Sequence, residues 1–145
     1  MKQYLLDTNV VSHIIRGDIP QIRTRLEAIP LQHLCISVVT QGELLYGVAK
    51  RGHPSRLAHL VRELLMRVNI LPWTPDVAEV YGRLRADCEA KGTPLAALDL
   101  MIAAQAHAMS HGLERAGGIG VLVTRDKAFS RLPPGILIED WTQLG

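Results

Sequence analysis

Apolar residues in this chain come in short blocks separated by polar breaks. The first block, Tyr4-Leu5-Leu6, is broken at once by Asp7, Thr8 and Asn9. A continuous apolar run of this length reads as a strand buried on both faces, as in parallel sheets. Val10, Val11, Ile14 and Ile15 then recur at helical spacing up to Gly17, and Ile22, Leu26 and Ile29 continue the pattern up to Pro30, so two short helices follow the strand. Leu34-Cys35-Ile36 predicts a second strand. It ends at Ser37, a good N-cap for a helix that carries Val38, Val39, Leu44, Leu45 and Val48 to a stop near Gly52. Pro54 and Ser55 open a further helix whose broad apolar face (Leu57, Leu60, Val61, Leu64, Leu65, Val68) suits packing on a sheet or a partner subunit.

Asn69-Ile70-Leu71 predicts a third strand, ended by Pro72, which cannot donate to a ladder. Thr74-Pro75 starts a helix with Val77, Val80, Tyr81, Leu84 and Cys88 on one side and Gly92 as its stop. Thr93-Pro94 predicts the start of the next, Leu95 to about His111, which is apolar nearly all round and so belongs in the interior. After the Gly117-Gly118 turn, Ile119 to Val123 predicts a β-branched strand ending in Thr124-Arg125-Asp126, followed by a helical segment from Lys127 to Leu132 and a last strand, Ile136 to Ile138. The order β, α, α, β, α, α, β, α, α, β, β implies an α/β fold: a mostly parallel sheet of four to five strands with helices on both faces.

The 145 residues suit a single domain spanning positions 1–145. A net charge of +2 leaves the partner open, since it announces no clustered basic face. Cys35 and Cys88 are isolated, without metal-type spacing, and no secretory leader pattern or bilayer-length apolar run stands out, so a reducing cytoplasm and no membrane are expected.

The chemistry is concentrated in four acids. Asp7 and Asp126 follow buried strands, where ligands of open α/β sheets bind. Asp7 or Thr8 is equally the type of residue that caps a following helix. Glu43 lies three residues after Thr40, the spacing of a capping box, although Ser37 already supplies a start signal for that helix. Asp99 is the sole acid of an apolar helix, where a buried carboxylate costs several kcal/mol unless a partner, metal or water compensates it; near a helix start, the macrodipole offers one such compensation. If the strands stack in parallel, Glu43 and Asp99 approach the same sheet edge as Asp7 and Asp126. Four converging carboxylates persist at neutral pH only with protons or cations, and hard oxygen donors in that number select magnesium or manganese. Such an ion supports water activation and in-line displacement at phosphorus.

Other chemistries fit less well. There is no phosphate-cradling glycine loop followed by lysine, and no Gly-x-Ser-x-Gly elbow. His107 and His111 stand four apart, but no glutamate follows the first and no third zinc ligand is evident. Phosphatases of the haloacid-dehalogenase type need a second acid two residues after the first, where this chain has Asn9.

Five stretches in order, Leu-Leu-Asp-Thr-Asn at 5–9, Ile-Ser-x-x-Thr-x-x-Glu-Leu-x-x-Gly at 36–47, Arg-Ala-x-x-x-x-x-Gly-x-Pro at 85–94, Asp-x-x-Ile-Ala-Ala-x-Ala at 99–106 and Val-Thr-x-Asp at 123–126, resemble the PIN-domain ribonucleases, especially the VapC toxins of toxin–antitoxin pairs. Glu-Asp-Trp at 139–141 closes the pattern. The resemblance implies a PIN-like α/β/α sandwich in which Asp7, Glu43, Asp99 and Asp126 bind magnesium or manganese and cut RNA, in a loop of tRNA or rRNA, with Thr8, Asn9 and Thr124 supporting the site. It further implies a homodimer, a cognate VapB-type antitoxin in a higher assembly, and contact with DNA only through that antitoxin. Two departures stand out: an apparent insertion at Leu113 to Gly118, and Ala96 where many relatives have glycine. The alternative is a catalytically inert PIN module that binds protein or RNA. Arg16, Arg83, Arg85, Lys91 and Arg125 are candidates for the RNA backbone, each equally readable as a surface charge.

Overall fold

The computed structural model describes residues 1–143. Five strands, β1 (Lys2–Leu6), β2 (Leu34–Ser37), β3 (Asn69–Leu71), β4 (Ile119–Val123) and β5 (Leu137–Glu139), form one sheet in the order β3-β2-β1-β4-β5. Every neighbouring pair is parallel, so the expectation of a mostly parallel sheet of four to five strands is met at its upper limit. Parallel neighbours need long crossovers. Three helix pairs supply three of the four: α1 (Thr8–Arg16) with α2 (Pro20–Glu27), α3 (Val38–Lys50) with α4 (Ser55–Arg67), and α5 (Pro75–Ala90) with α6 (Ala97–Glu114), while β4 reaches β5 through the 3-10 turn Lys127–Arg131.

Side chains along a strand alternate between faces, and here the alternation divides the core in two. Leu6, Leu34, Ile36, Val121 and Val123 pack with Val10, Val11, Ile22, Leu44, Val48 and Val61 of α1 to α4. Leu5, Cys35 and Leu122 pack with Val77, Leu84, Cys88 and the Leu100–Ala106 stretch of α5 and α6. The result is three layers, helices on both faces of the sheet. β1 is central because the chain lays β2 and β3 to one side of it and then crosses back to add β4 and β5 on the other. That reversal falls between β1 and β4, whose carboxyl ends mark the position where open α/β sheets bind ligands.

Two expectations shift in detail. Thr93-Pro94 does not open α6, which begins at Ala97; Gly92 adopts a left-handed φ of 69° and the Thr93 amide returns to the Cys88 carbonyl at 2.9 Å, so this stretch closes α5. The last strand is Leu137–Glu139 rather than Ile136 to Ile138. Leu113 and Glu114 of the apparent insertion complete α6, and the Gly118 amide ends it by bonding the Leu113 carbonyl. Among the described residues no helix is long and apolar enough to cross a membrane.

Candidate active site

Asp7 is the first residue past β1, and its amide extends the ladder by donating to the Val123 carbonyl at 3.0 Å. Its backbone is extended and its Oδ1 accepts from the Thr8 amide at 2.8 Å, so it does cap α1. Capping occupies one oxygen only. Oδ2 accepts from the Thr124 hydroxyl at 2.9 Å, and that hydroxyl in turn accepts from the Asp126 amide at 3.0 Å. Thr124 thereby ties the ends of β1 and β4 together. Asp7 is only 6% exposed. Burial pushes its carboxyl above the ordinary range; the bonds from Thr124 and Thr8 oppose this, and the charges of Asp99 and Asp126 add to it.

Glu43 does not form the capping box with Thr40. Ser37 is the N-cap of α3, its hydroxyl accepting from the Val39 amide at 3.0 Å, which places Thr40 and Glu43 inside the helix on the face towards α1. There the Thr8 hydroxyl donates to Glu43 Oε1 at 3.0 Å and lies 2.9 Å from the Thr40 hydroxyl. With the single Thr8 proton given to Glu43, Thr40 is the donor of the second bond, and the chain Thr40 to Thr8 to Glu43 follows. Thr40 is fully buried.

Asp99 stands in the first turn of α6, half-buried, where the macrodipole favours an acid. Burial nevertheless raises its carboxyl, and the charges of Asp126 and Glu43 raise it further. Asp126 is exposed, and its Oδ1 caps the 3-10 turn Lys127–Arg131 by accepting from the Ala128 amide at 2.9 Å. The mutual repulsion runs from Asp7 to Asp99 and Asp126, and from Asp99 to Asp126 and Glu43, so the four sequence-nominated acids share one electrostatic neighbourhood. Asn9 lies exposed on the first turn of α1.

Behind the acids, Ser37 donates to Gln105 Oε1 at 3.0 Å, and the Gln105 amide donates to the Pro72 carbonyl at 3.2 Å. This buried pair joins the start of α3 to α6, the two helices that carry Glu43 and Asp99. Neither Ser37, Thr40 nor Gln105 was singled out as functional from sequence; Thr40 sits inside the Thr-x-x-Glu stretch, which is the one signal that could have marked it.

Of the nominated cations, Arg16 and Arg125 lie together, on either side of His13. Arg85 pairs with Glu89 and Tyr81, and Lys91 with Asp87, in contacts four residues apart along α5. Arg83 lines a cleft of about 750 Å³ between α5 and α6 with His107 and His111, towards the far end of α6 from Asp99. His107 Nε2 is buried there without a partner among the described residues. Burial, Arg83 and His111 all lower its basicity.

The donor set is all-oxygen and electrostatically stressed, which suits a hard divalent cation. Among the described residues no three acidic, histidine or cysteine side chains are drawn into one ligand group. An ion held by one or two carboxylates and several waters, the usual manner of magnesium, fits that spacing.

The PIN-domain family model matches residues 4–133. The chain is 37% identical over 142 residues to the tRNA(fMet)-specific endonuclease VapC of Salmonella typhimurium, covering 97% of this chain and 99% of that protein. It is 34% identical over 113 residues to Ribonuclease VapC2 of Haemophilus influenzae, covering 78% and 83%. Among solved structures, DNA-bound VapBC from Salmonella typhimurium superposes with a TM-score of 0.83 at 34% identity, covering 97% and 99% of the two chains. VapBC2 from Rickettsia felis, bound to a fragment of its promoter, gives 0.81 at 28% identity, covering 97% and 99%.

Proposed function

The chain belongs to the PIN-domain family, and from that premise we propose that it is the toxin of a toxin–antitoxin pair, a cytoplasmic endoribonuclease dependent on magnesium or manganese. The observation that carries this is the hydrogen-bonded join at the ends of β1 and β4, where Thr124 bonds both Asp7 and the Asp126 amide and Thr8 bonds Glu43, with Asp99 close enough for its charge to act on Asp7. A divalent ion held there would relieve the repulsion among these acids and supply the charge that activates water and stabilises an in-line displacement at phosphorus. Asp7, Asp99, Glu43 and Asp126 are the residues that would hold it, directly or through water. Thr8 and Thr124 keep Glu43 and Asp7 in fixed orientations, and Asn9, exposed on the first turn of α1, would support the site. Residues 1–145 act as one domain in this reading.

The substrate class follows from the relatives. Two VapC proteins, 37% and 32% identical to this chain over nearly its whole length, are named tRNA(fMet)-specific endonucleases. Transfer RNA is therefore the substrate to test first, an unpaired loop being the part that exposes scissile backbone. The partner in this reading is a VapB-type antitoxin, supported by solved relatives that are VapBC complexes bound to DNA, and DNA would be reached through that antitoxin. The exposed Leu45, Tyr46, Met66 and Leu98 supply apolar surface for a second copy and for the antitoxin.

The test is cleavage of tRNA by the purified, antitoxin-free chain, with magnesium, with manganese and with a chelator, beside Asp99→Asn. Cutting at a few sites that needs the ion, and falls more than about 100-fold in the variant, is the expected result, because even outer-sphere changes cost about 10–100-fold. A folded wild type that binds tRNA without cutting it under any ion would make the chain an inert binding module.

A further inference from the structure

Arg16 and Arg125 are distant in sequence yet meet at one imidazole. Arg125 Nη1 lies 3.1 Å from His13 Nε2. Arg16 Nη2 lies 3.0 Å from Nδ1 and 3.5 Å from Nε2. Asp18 Oδ1 is 2.9 Å from the same Nδ1, and Asp18 Oδ2 accepts from Arg16 Nε at 3.2 Å. With Nδ1–H donating to Asp18, bare Nε2 accepts from Arg125, and Arg16 Nη2 makes no bond to the ring. Arg16 is then held by Asp18 rather than by the ring. The His13 side chain is 13% exposed, against 54% for Arg16 and 45% for Asp18, and Arg125 is exposed. The imidazole is seated while both guanidinium groups face water.

We propose that His13, fixed by Asp18, positions Arg125 beside Arg16 as a phosphate-binding subsite for the RNA strand as it leaves the carboxylates. The inference rests on the nuclease reading above. A neutral imidazole orients a guanidinium without cancelling its charge, as a carboxylate prop would, and leaves the other N–H donors free for a phosphate. Asp140 also lies within reach of the Arg125 charge; burial works to raise its carboxyl, but hydrogen bonds from Thr142 and Gln143 and the Arg125 charge bring it below the ordinary range. Its Oδ1 is taken by the Thr142 amide and hydroxyl. The placement suits a phosphate next to the scissile one. His13 is six residues beyond Asp7 on α1, roughly 9 Å along the axis at about 1.5 Å per residue, and Arg125 lies between Thr124, which bonds Asp7, and Asp126. A cluster of acids repels a polyanion, so cations at its edge are what draws the strand in.

The test measures binding of unfractionated tRNA to the purified chain in chelator, over a range of salt, with cleavage assayed in parallel with magnesium or manganese. Arg125→Ala is expected to weaken binding several-fold and to lower the slope of log affinity on log salt by about 0.7, the loss of one single-strand phosphate contact. His13→Ala should reproduce most of that loss, and the double variant should add little, because the two residues act as a unit. His13→Gln should restore binding, its amide oxygen standing where Nε2 accepts. Arg67→Ala, which removes a cation of α4 paired with Glu63, controls for net charge, and thermal melting reports whether each variant folds. If Arg125→Ala weakens binding and folded His13→Ala does not, or if both match Arg67→Ala while the wild type still cleaves, the subsite is wrong and the nuclease reading stands. If the wild type neither binds nor cleaves tRNA, both fall.

Discussion

The Thr8 hydroxyl lies between two oxygens, donating to Glu43 and accepting from the buried Thr40. Thr8→Val removes the donor to Glu43 and strands the Thr40 hydroxyl, which at zero exposure has no access to water. Two effects should therefore appear together: cleavage lower by about 10–100-fold, as for outer-sphere partners of a metal site, and stability lower by about 1–3 kcal/mol from the unsatisfied buried group. The double variant Thr8→Val/Thr40→Val separates them. It should recover most of the stability in urea denaturation and none of the activity; recovery of both would mean that the hydroxyl chain only fills space. Thr8→Ser should keep both. At this scale the acids were legible in the sequence because an acid after an apolar run, or alone in an apolar helix, is conspicuous. Their supports were not. Thr40 and Thr8 are 32 residues apart, Ser37 and Gln105 are 68 apart, and His13 and Arg125 are 112 apart, separations that no spacing rule encodes.

Between elements, α6 approaches β4 closely at Gly120. A Cβ placed on Gly120 would stand 2.9 Å from the Ser110 Cα and 3.1 Å from the Ser110 Cβ and the tip of Met109, so backbone as well as side chain would have to move. Gly120→Ala should cost about 1–3 kcal/mol, the range for overpacking a filled core, and because α6 carries Asp99 it should also reduce cleavage. Gly112, on the same helix, has nothing within 4 Å of its added Cβ. Gly112→Ala should instead stabilise by about 0.5–1 kcal/mol through the loss of glycine's unfolded-state freedom. Urea denaturation of the two variants checks both signs, and a cost at Gly112 would contradict the open space beside it. Most elements among the described residues were legible because apolar periodicity is set by which face each buries; α6, apolar nearly all round, and β5, with Leu137 and Ile138 exposed, were marked instead by runs of apolar residues. The start signal at Thr93-Pro94 is overridden by turn chemistry, and α6 begins at Ala97. Thr74-Pro75 and Thr93-Pro94 carry the same start signal, but only the second follows a glycine in left-handed conformation, and there the Thr93 amide and hydroxyl are drawn back to the Cys88 carbonyl.

Across the whole molecule, the fold brings together carboxylates that repel one another, and this should be readable as a dependence of stability on pH. Asp7 and Asp99 have carboxyls raised in the folded state, by burial first and then by neighbouring acids. A group raised on folding contributes stability below its unfolded pKa and loses it as pH rises through its folded pKa. Ion-free protein at neutral pH therefore carries an electrostatic cost that disappears as pH falls into the ordinary carboxylate range. The total curve mixes other groups. His107, whose basicity is lowered by burial and by Arg83 and His111, loses stability as pH falls below the ordinary histidine range. Asp18 is lowered chiefly by its bond to His13, and its contribution is lost only at lower pH, below the ordinary carboxylate range. The difference between Asp99→Asn and wild type removes those shared contributions. In chelator at constant ionic strength, the variant should melt above wild type at neutral pH, with the gap shrinking towards zero as pH falls to the ordinary carboxylate range. Magnesium or manganese should close the same gap at neutral pH by raising the wild type more than the variant, because an ion bound only by the folded state stabilises it by mass action. A variant that melts below wild type at every pH would mean that Asp99 is compensated within the protein, and the case for an ion at this site would then rest on the cleavage assay alone.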